Sequence, residues 1–546
     1  MKIALAQLNY HIGNFEGNLQ KMMQSVDQAK AGGADLICFA ELATCGYPPR
    51  DFLEFEDFIR LADEAIARLA EVAEGITIIV GSPTKNPVPE GKDLYNSAYV
   101  LADGKVQAIR HKALLPNYDV FDEYRYFEPA QSFEPVEIMG KRIALTVCED
   151  IWNIGNENPL YTTCPMDHLI QDKPDFMINI SASPFNYNNP VSRTHVVRSN
   201  VERYGIPMFY INHCGAQTEL IFDGGSMVMN ADGTLFDRLP YFEEAVRIYD
   251  IDAVMSASRQ MDDRSPSKME LIYDALILGL RDYFGKLGFK KAVIALSGGI
   301  DSALTAALTT AALGAENVRG VLMPSQFSSD HSVKDAVQLA ENLGIRHEII
   351  AIEPIYQSFE TALQSSFAGL PFNIAEENLQ ARIRGVLAMG FSNKFGEILL
   401  NTSNKSEMAV GYGTLYGDMC GGLSVIGDLY KTEVFELSHW INRNGEIIPE
   451  NTLTKPPSAE LRPDQKDSDS LPDYDILDAI LFQYIENRKS PAAIIRMGYD
   501  DALVRGVLRM VNINEFKRYQ TAPVLRVSSK AFGMGRRMPI VGKYLS

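Results

Sequence analysis

The feature that most constrains this chain is a pair of glycines set between an apolar run and the start of a helix. Ala292-Val293-Ile294-Ala295-Leu296 is short and continuously apolar, the pattern of a strand buried in a parallel sheet. Ser297-Gly298-Gly299-Ile300-Asp301-Ser302 follows at once, and Ser302 to Leu308 reads as a helix opening. Two glycines at that turn let a phosphate approach the backbone with no Cβ in the way. The helix N-terminus then offers unpaired N–H groups and the positive end of its dipole. The loop lacks the Lys after the second Gly that a Walker loop needs. Ser-Gly-Gly alone also fits an ordinary turn. The Asp and second Ser at fixed offsets favour the phosphate reading.

With 546 residues the chain is long enough for two or more domains, each with its own core. Residues 1 to about 255 alternate short apolar runs with amphipathic stretches. Ile3–Leu8, Leu36–Ala40, Ile76–Gly81, Ala98–Leu101, Ile143–Val147, Phe176–Ile180 and Met208–Ile211 predict strands, and Leu19–Ala31, Phe58–Ala73 and Val191–Tyr204 predict helices. The polar stretch 256–268 reads as a linker. A helix is expected to begin near Glu270. Beyond the Val293 strand, Val318–Met323 and His347–Ile352 read as strands with helices between, so the second half is expected to be a doubly wound α/β sheet. Residues 455–475 are rich in Pro, Asp and Ser, which fits either a disordered insert or a mobile lid over a phosphate site.

A net charge of −19 argues against a sequence-independent grip on nucleic acid and against a polybasic membrane contact. Six cysteines, at 38, 45, 148, 164, 214 and 420, form no C-x-x-C pair and no zinc-like spacing with the eight histidines. So few in so long a chain do not make a disulfide framework. No stretch approaches the roughly 18 apolar residues of a membrane span, and the start is too polar for a signal peptide. A cytoplasmic location is the expectation.

In the first half, Glu41, Lys112 and Cys148 stand at or near the ends of apolar runs, where parallel α/β architectures place their sites. An acid, an amine and a thiol together can do amide chemistry. The thiol attacks the carbonyl and the carboxylate takes its proton. The ammonium is expected to lower the thiol pKa and to stabilise the oxyanion. Singly, a Cys after a hydrophobic strand is usually inert core, and a lone Glu or Lys there is usually a solvated charge.

Their contexts carry more. The segments Phe39–Asp51, His111–Phe127 and Val147–Trp152 resemble the nitrilase superfamily, the second of them most closely the glutaminase domain of glutamine-dependent NAD synthetases. The resemblance implies an αββα sandwich over residues 1–255, with Cys148 as nucleophile, Glu41 as general base and Lys112 as the oxyanion-stabilising amine. It implies Glu123 as a second acid and glutamine contacts at Tyr118 and Ser183. The basic residue that often follows Ser183 in the superfamily is missing here, and Asn189 or Arg193 stands in that neighbourhood.

In the second half, the loop resembles that of the ATP pyrophosphatase family (the adenine nucleotide α-hydrolase-like type). Glu397–Glu407 reads as a strand followed by a helix start, and Glu407 could join Asp301 in holding Mg²⁺ against phosphates, since hard oxygen ligands suit that ion. By itself Glu407 equally suits a helix dipole, and Glu376–Arg384 reads as an ion-paired amphipathic helix. These segments, with Gly411–Asp418 and Asp428–Val434, resemble the NAD synthetase domain, and the resemblance runs over residues 269–546. It implies ATP contacts at Ala295, Leu296, Ser297, Gly298, Gly299, Ile300, Asp301, Ser302, Arg382 and Thr402. It implies deamido-NAD contacts at Asn378, Glu407, Asp418 and Lys517, and places Lys431 and Ser458 near the leaving pyrophosphate. The expected reaction is adenylation of deamido-NAD by ATP, then amidation with ammonia drawn from L-glutamine, in a homo-oligomer that uses Mg²⁺ and no nucleic acid.

The same loop also serves xanthylate and aspartate amination, argininosuccinate formation and tRNA modification. The acidic balance and the absence of a basic tract speak against the RNA enzyme. A nitrilase-like half joined to this loop points to NAD synthesis more specifically than either half does. A catalytically dead docking module is the remaining reading of the first half, and the complete set of Glu41, Lys112 and Cys148 opposes it.

Overall fold

The computed structural model describes residues 1–154, 160–257, 259–262, 266–463 and 465–545. The chain divides into two compact units, Met1–Pro266 and Ser267–Ser546. Of the stretch expected to be a linker, residues 258 and 263–265 lie outside the described residues, and its last residue, Lys268, already opens a helix.

The first unit is built on two six-stranded sheets. One runs in the order Ala245–Asp250, Lys2–Gln7, Leu36–Cys38, Thr77–Lys85, Leu94–Ala102, Lys105–His111, and the other in the order Leu235–Arg238, Met227–Met229, Met208–Asn212, Phe176–Ser181, Lys141–Val147, Val136–Ile138. Three central strands of each are parallel and the flanking ones antiparallel. The period-2 alternation of Lys2–Gln7 explains the layering. Ile3 and Leu5 face the second sheet, in one core with Ile143, Leu145, Phe176 and Ile178. Ala4 and Ala6 face outward onto Leu19, Met22 and Val26 of helix Phe15–Ala31 and Ile66 and Leu69 of helix Glu56–Glu71. Helix Asn189–Tyr204 covers the outer face of the other sheet through Val197 and Val201. The unit is therefore the expected αββα sandwich. The short strands Val136–Ile138, Met227–Met229 and Leu235–Arg238 carried too weak a pattern to be expected from sequence.

The second unit holds a five-stranded, all-parallel sheet in the order Arg346–Ile349, Val318–Leu322, Ala292–Ala295, Ile398–Asn401, Leu423–Ser424. The chain starts in the middle, winds one way, then returns to the other side. The order reverses between Ala292–Ala295 and Ile398–Asn401, and a crevice opens at the carboxyl ends of strands on either side of such a switch point. The two loops singled out in the sequence, 296–302 and 402–407, leave these two strands. Helix Lys268–Leu287 is capped by the Ser267 side chain and ended by Gly288 at φ 77°. Helices Tyr474–Ile485 and Asp501–Ile513 pack beside the sheet on Leu477, Leu481, Val504 and Leu508. Of the stretch 455–475, residue 464 lies outside the described residues, and residues 455–462 and 465–467 line the crevice. Among the described residues no helix is long and apolar enough to cross a membrane.

Candidate active sites

In the first unit the sandwich delivers the sequence candidates to one place. Lys112 directly follows strand Lys105–His111, Cys148 directly follows Lys141–Val147, and Ser183 lies two residues past Phe176–Ser181. Glu41 follows Leu36–Cys38 by three residues, and it, Lys112 and Cys148 are all buried. The Lys112 ammonium donates to Glu41 Oε1 at 2.7 Å and to Glu123 Oε1 at 2.9 Å. Glu41 Oε2 accepts from the Ala182 backbone N–H at 2.9 Å, and the Tyr47 hydroxyl donates to Glu123 Oε1 at 2.8 Å. Asn96 Nδ2 reaches Glu41 Oε1 at 2.7 Å and Glu123 Oε2 at 3.3 Å.

Cys148 sits at the turn from strand to 3₁₀ helix with φ 44°, a left-handed backbone unusual for a side chain of this kind. Asp150 ties that turn down: Oδ2 accepts from Val147 N at 3.0 Å while Oδ1 accepts from Ala113 N and Leu114 N, both at 2.9 Å. One carboxylate thus joins the Cys148 turn to the segment just after Lys112. The Asn179 amide donates to the Cys148 carbonyl at 3.3 Å from the neighbouring strand.

Burial drives the Cys148 thiol well above its ordinary pKa and the Glu41 carboxylate adds to this; Lys112 lowers it, as expected, without prevailing. The group therefore rests as a thiol, which suits the expected transfer of its proton to Glu41. Burial likewise raises Glu123, to about 7, against the pull of Lys112. Lys112 itself stays charged, because Glu123 and Glu41 outweigh its desolvation.

The expected glutamine contacts are placed unevenly. The Tyr118 hydroxyl donates to Glu149 Oε1 at 2.9 Å, beside Tyr161 at 3.0 Å on the same oxygen. Ser183 is held by Asn212 Oδ1, which accepts from its N–H at 2.8 Å. Asn189 spends its side-chain amide on the Pro184 carbonyl at 2.6 Å. Arg193 is 1% exposed and paired with buried Asp223. Sequence reasoning passed over Glu149, Asp150, Asn96 and Gly81. The available signal was polarity inside apolar strands: Asn96-Ser97 interrupts Leu94–Ala102, and buried polar residues are the informative exceptions.

In the second unit a cavity of about 550 Å³ occupies the crevice. It is lined by Ala295, Leu296, Ser297, Gly299, Ile300, Asp301, Ser302, Thr402, Glu407, Asp418, Lys431 and Ser458. Gly298 packs behind it at φ 82°, where a Cβ would stand 2.2 Å from the Ser332 carbonyl oxygen. Only glycine satisfies both the backbone and the approach. Lys431 pairs with Asp301 and lies 3.6 Å from Glu407, and Asn404 donates to Asp301 Oδ1 at 2.8 Å. Burial raises Glu407 to about 8, with the Asp301 charge adding and Lys431 opposing. Burial alone would pull Lys431 down; the two carboxylates overcome it and hold it charged.

Arg384, rather than Arg382, lines the cavity; Arg382 donates to the Leu415 carbonyl at 3.2 Å. Asn378 and Asp418 meet through Thr414, whose hydroxyl donates to Asn378 Oδ1 and whose N–H donates to Asp418 Oδ1, both at 2.6 Å. Lys517 donates to the Gly411 and Gly413 carbonyls at 2.7 and 2.9 Å, bracketing the same loop. Ser458 donates to the Gln465 carbonyl at the cavity rim.

Comparison with known proteins matches both units. Residues 2–260 fit the carbon-nitrogen hydrolase family and residues 272–521 the NAD synthase family. A glutamine-dependent NAD(+) synthetase of Synechocystis sp. is 46% identical over 546 residues, covering 98% of each chain. That of Thermotoga maritima is 42% identical over 100% of this chain and 99% of its own. The solved structure of glutamine-dependent NAD+ synthetase from Acinetobacter baumannii in complex with ADP aligns with a TM-score of 0.78 at 40% identity, covering 99% of this chain and 98% of that one.

Proposed function

Because the chain belongs to the family of glutamine-dependent NAD(+) synthetases, we propose that its two units, drawn as 1–255 and 269–546, divide one reaction between them. The first hydrolyses glutamine to glutamate and ammonia. The second activates deamido-NAD with ATP and amidates it, giving NAD, AMP and pyrophosphate. The observation that carries this reading is the pairing of a complete, buried Glu41–Lys112–Cys148 cluster with a switch-point crevice floored by the 297–302 loop.

In the first step the Cys148 sulfur attacks the amide carbon as its proton passes to Glu41. The raised thiol pKa makes transfer and attack a single event rather than attack by a standing thiolate. The Lys112 ammonium, fixed by two carboxylates, stabilises the oxyanion. Glu41 then returns the proton to the departing nitrogen, which leaves as ammonia, and afterwards takes a proton from the water that cleaves the thioester. Glu149, next to the nucleophile and oriented by Tyr118 and Tyr161, is a suitable partner for the α-ammonium of glutamine.

In the second unit the N–H groups at the start of helix Ile300–Leu313 and the loop backbone receive the ATP phosphates. The ADP in the Acinetobacter relative supports a nucleotide ligand. Asp301 and Glu407 fit Mg²⁺, which takes one or two carboxylates together with substrate phosphates. The Lys431 ammonium lying between them marks a place built for positive charge. Mg²⁺ held there would neutralise charge on the departing pyrophosphate. Lys431, on the same wall, is placed to follow that charge.

Product analysis tests the reading: AMP and NAD should form from ATP, deamido-NAD and glutamine. Cys148→Ala should abolish this with glutamine and preserve it with ammonium salts. Retained glutaminase activity in that variant would refute the assignment of the nucleophile.

A further inference from the structure

Asn96 is bonded to Glu41, to Glu123 and to the Lys112 backbone. It lies in strand Leu94–Ala102 and is fully buried. Its Nδ2 has two hydrogens, and its two acceptors are Glu41 Oε1 at 2.7 Å and Glu123 Oε2 at 3.3 Å. Its backbone carbonyl accepts the Lys112 backbone N–H at 2.8 Å. The amide can face only one way, since its oxygen turned toward two carboxylates would be repelled by both. Its Oδ1, on the other side, has no protein partner.

We propose that Asn96 is a positioning residue for the general base: it bridges the two carboxylates and keeps Glu41 aimed at the Cys148 thiol. Two carboxylates share one ammonium here, and like charges this close in a buried site favour taking up a proton. Lys112 alone neutralises one of the two negative charges. The Asn96 amide supplies donors to both carboxylates, and donors to the charged form favour it. The charged and titratable groups facing the Glu41 carboxylate are Lys112, Glu123, Cys148, Glu149 and Tyr47, while the His213 ring meets the Glu41 backbone carbonyl at 2.6 Å. None of the other four supplies a donor bond to both acids as Asn96 and Lys112 do.

The inference rests on Glu41 being the base, and the two can fail separately. Glu41→Gln retaining glutaminase activity would remove the premise. For Asn96 itself, Asn96→Asp replaces the donor by a third negative charge at nearly constant volume, and Asn96→Ser keeps a small donor out of reach of one acid. Ammonia-supported synthesis reports that the rest of the protein is intact. Glutaminase kcat should fall about 10- to 100-fold, the range typical of residues that orient another group, more in Asn96→Asp than in Asn96→Ser. The KM for glutamine should stay within about twofold, because the Asn96 donors are spent on the two carboxylates. The acid limb of the kcat/KM profile should move to higher pH, reporting a carboxylate pair that holds a shared proton more tightly. An acid limb and kcat matching the parent's in either folded variant overturns the proposal. So does a rise in KM with kcat unchanged.

Discussion

Gly81 should prove as important to glutamine hydrolysis as residues that touch the substrate, although it does no chemistry. It lies in strand Thr77–Lys85, opposite the loop that carries Glu41. Its N–H donates to the Ala40 carbonyl at 3.1 Å and its carbonyl accepts the Thr44 N–H at 3.2 Å, so the loop is bonded flat onto it. A Cβ built there would stand 2.3 Å from Leu42 N, 2.6 Å from the Ala40 carbonyl oxygen and 2.6 Å from Glu41 Cα. All three are backbone atoms, so no side chain can rotate away. Restoring ordinary contact in Gly81→Ala requires about 1 Å of movement by the loop, and a misplacement of that size at reacting groups costs on the order of 100-fold in rate. That equals about 2.7 kcal/mol of barrier, and overpacking should add about 1–3 kcal/mol of lost stability. The assay is the ratio of glutamine-supported to ammonia-supported NAD synthesis, measured below the melting transition. The ratio should fall by about two orders of magnitude, with ammonia-supported synthesis near the parent's. A Gly81→Ala protein with a ratio within threefold of the parent's would show that the loop yields without moving the carboxylate, and the reasoning would be wrong.

Three further outcomes follow from the second unit. Asp301→Asn should stop synthesis with either nitrogen source while free glutaminase activity persists; a variant making NAD from ammonia at the parent's rate contradicts a role at the phosphates. Glu407, raised to about 8 in the fold, contributes most to stability when protonated, and that contribution is lost as pH climbs through about 8. Glu407→Gln should therefore be inactive in synthesis yet melt above the parent at pH 9, with the difference vanishing toward pH 5; equal melting at pH 9 would argue against it. Lys405 is fully buried between Asp428 at 3.0 Å and Glu486 at 2.9 Å, with Ser528 as a further acceptor at 2.7 Å. Lys405→Met strands two buried carboxylates and should cost about 3–5 kcal/mol, read as a lower melting temperature, and an unchanged melting curve would refute the account.

Much of the architecture was legible because its causes are local. The apolar run 292–296, the two glycines and the helix start lie within a dozen residues, so strand, loop and anion-ready helix end can be read together. Lys112 and Cys148 directly follow strands and Glu41 stands three residues past one, and chain direction alone puts such residues at the carboxyl ends of their strands. What the tertiary structure decided is whatever depends on distance across the chain. The Ala182 N–H that holds Glu41 is 141 residues away from it. The contact that demands glycine at 81 is with a loop 40 residues earlier, and nothing around Gly81 in sequence announces it. Asn189 and Arg193 were equal candidates on paper, and only folding shows their donors turned to Pro184 and Asp223. The net protonation of Cys148 was decided in the same way. Lys112 lowers the thiol pKa as its residue type predicts, but desolvation is a property of everything packed around the sulfur, and here it outweighs the amine.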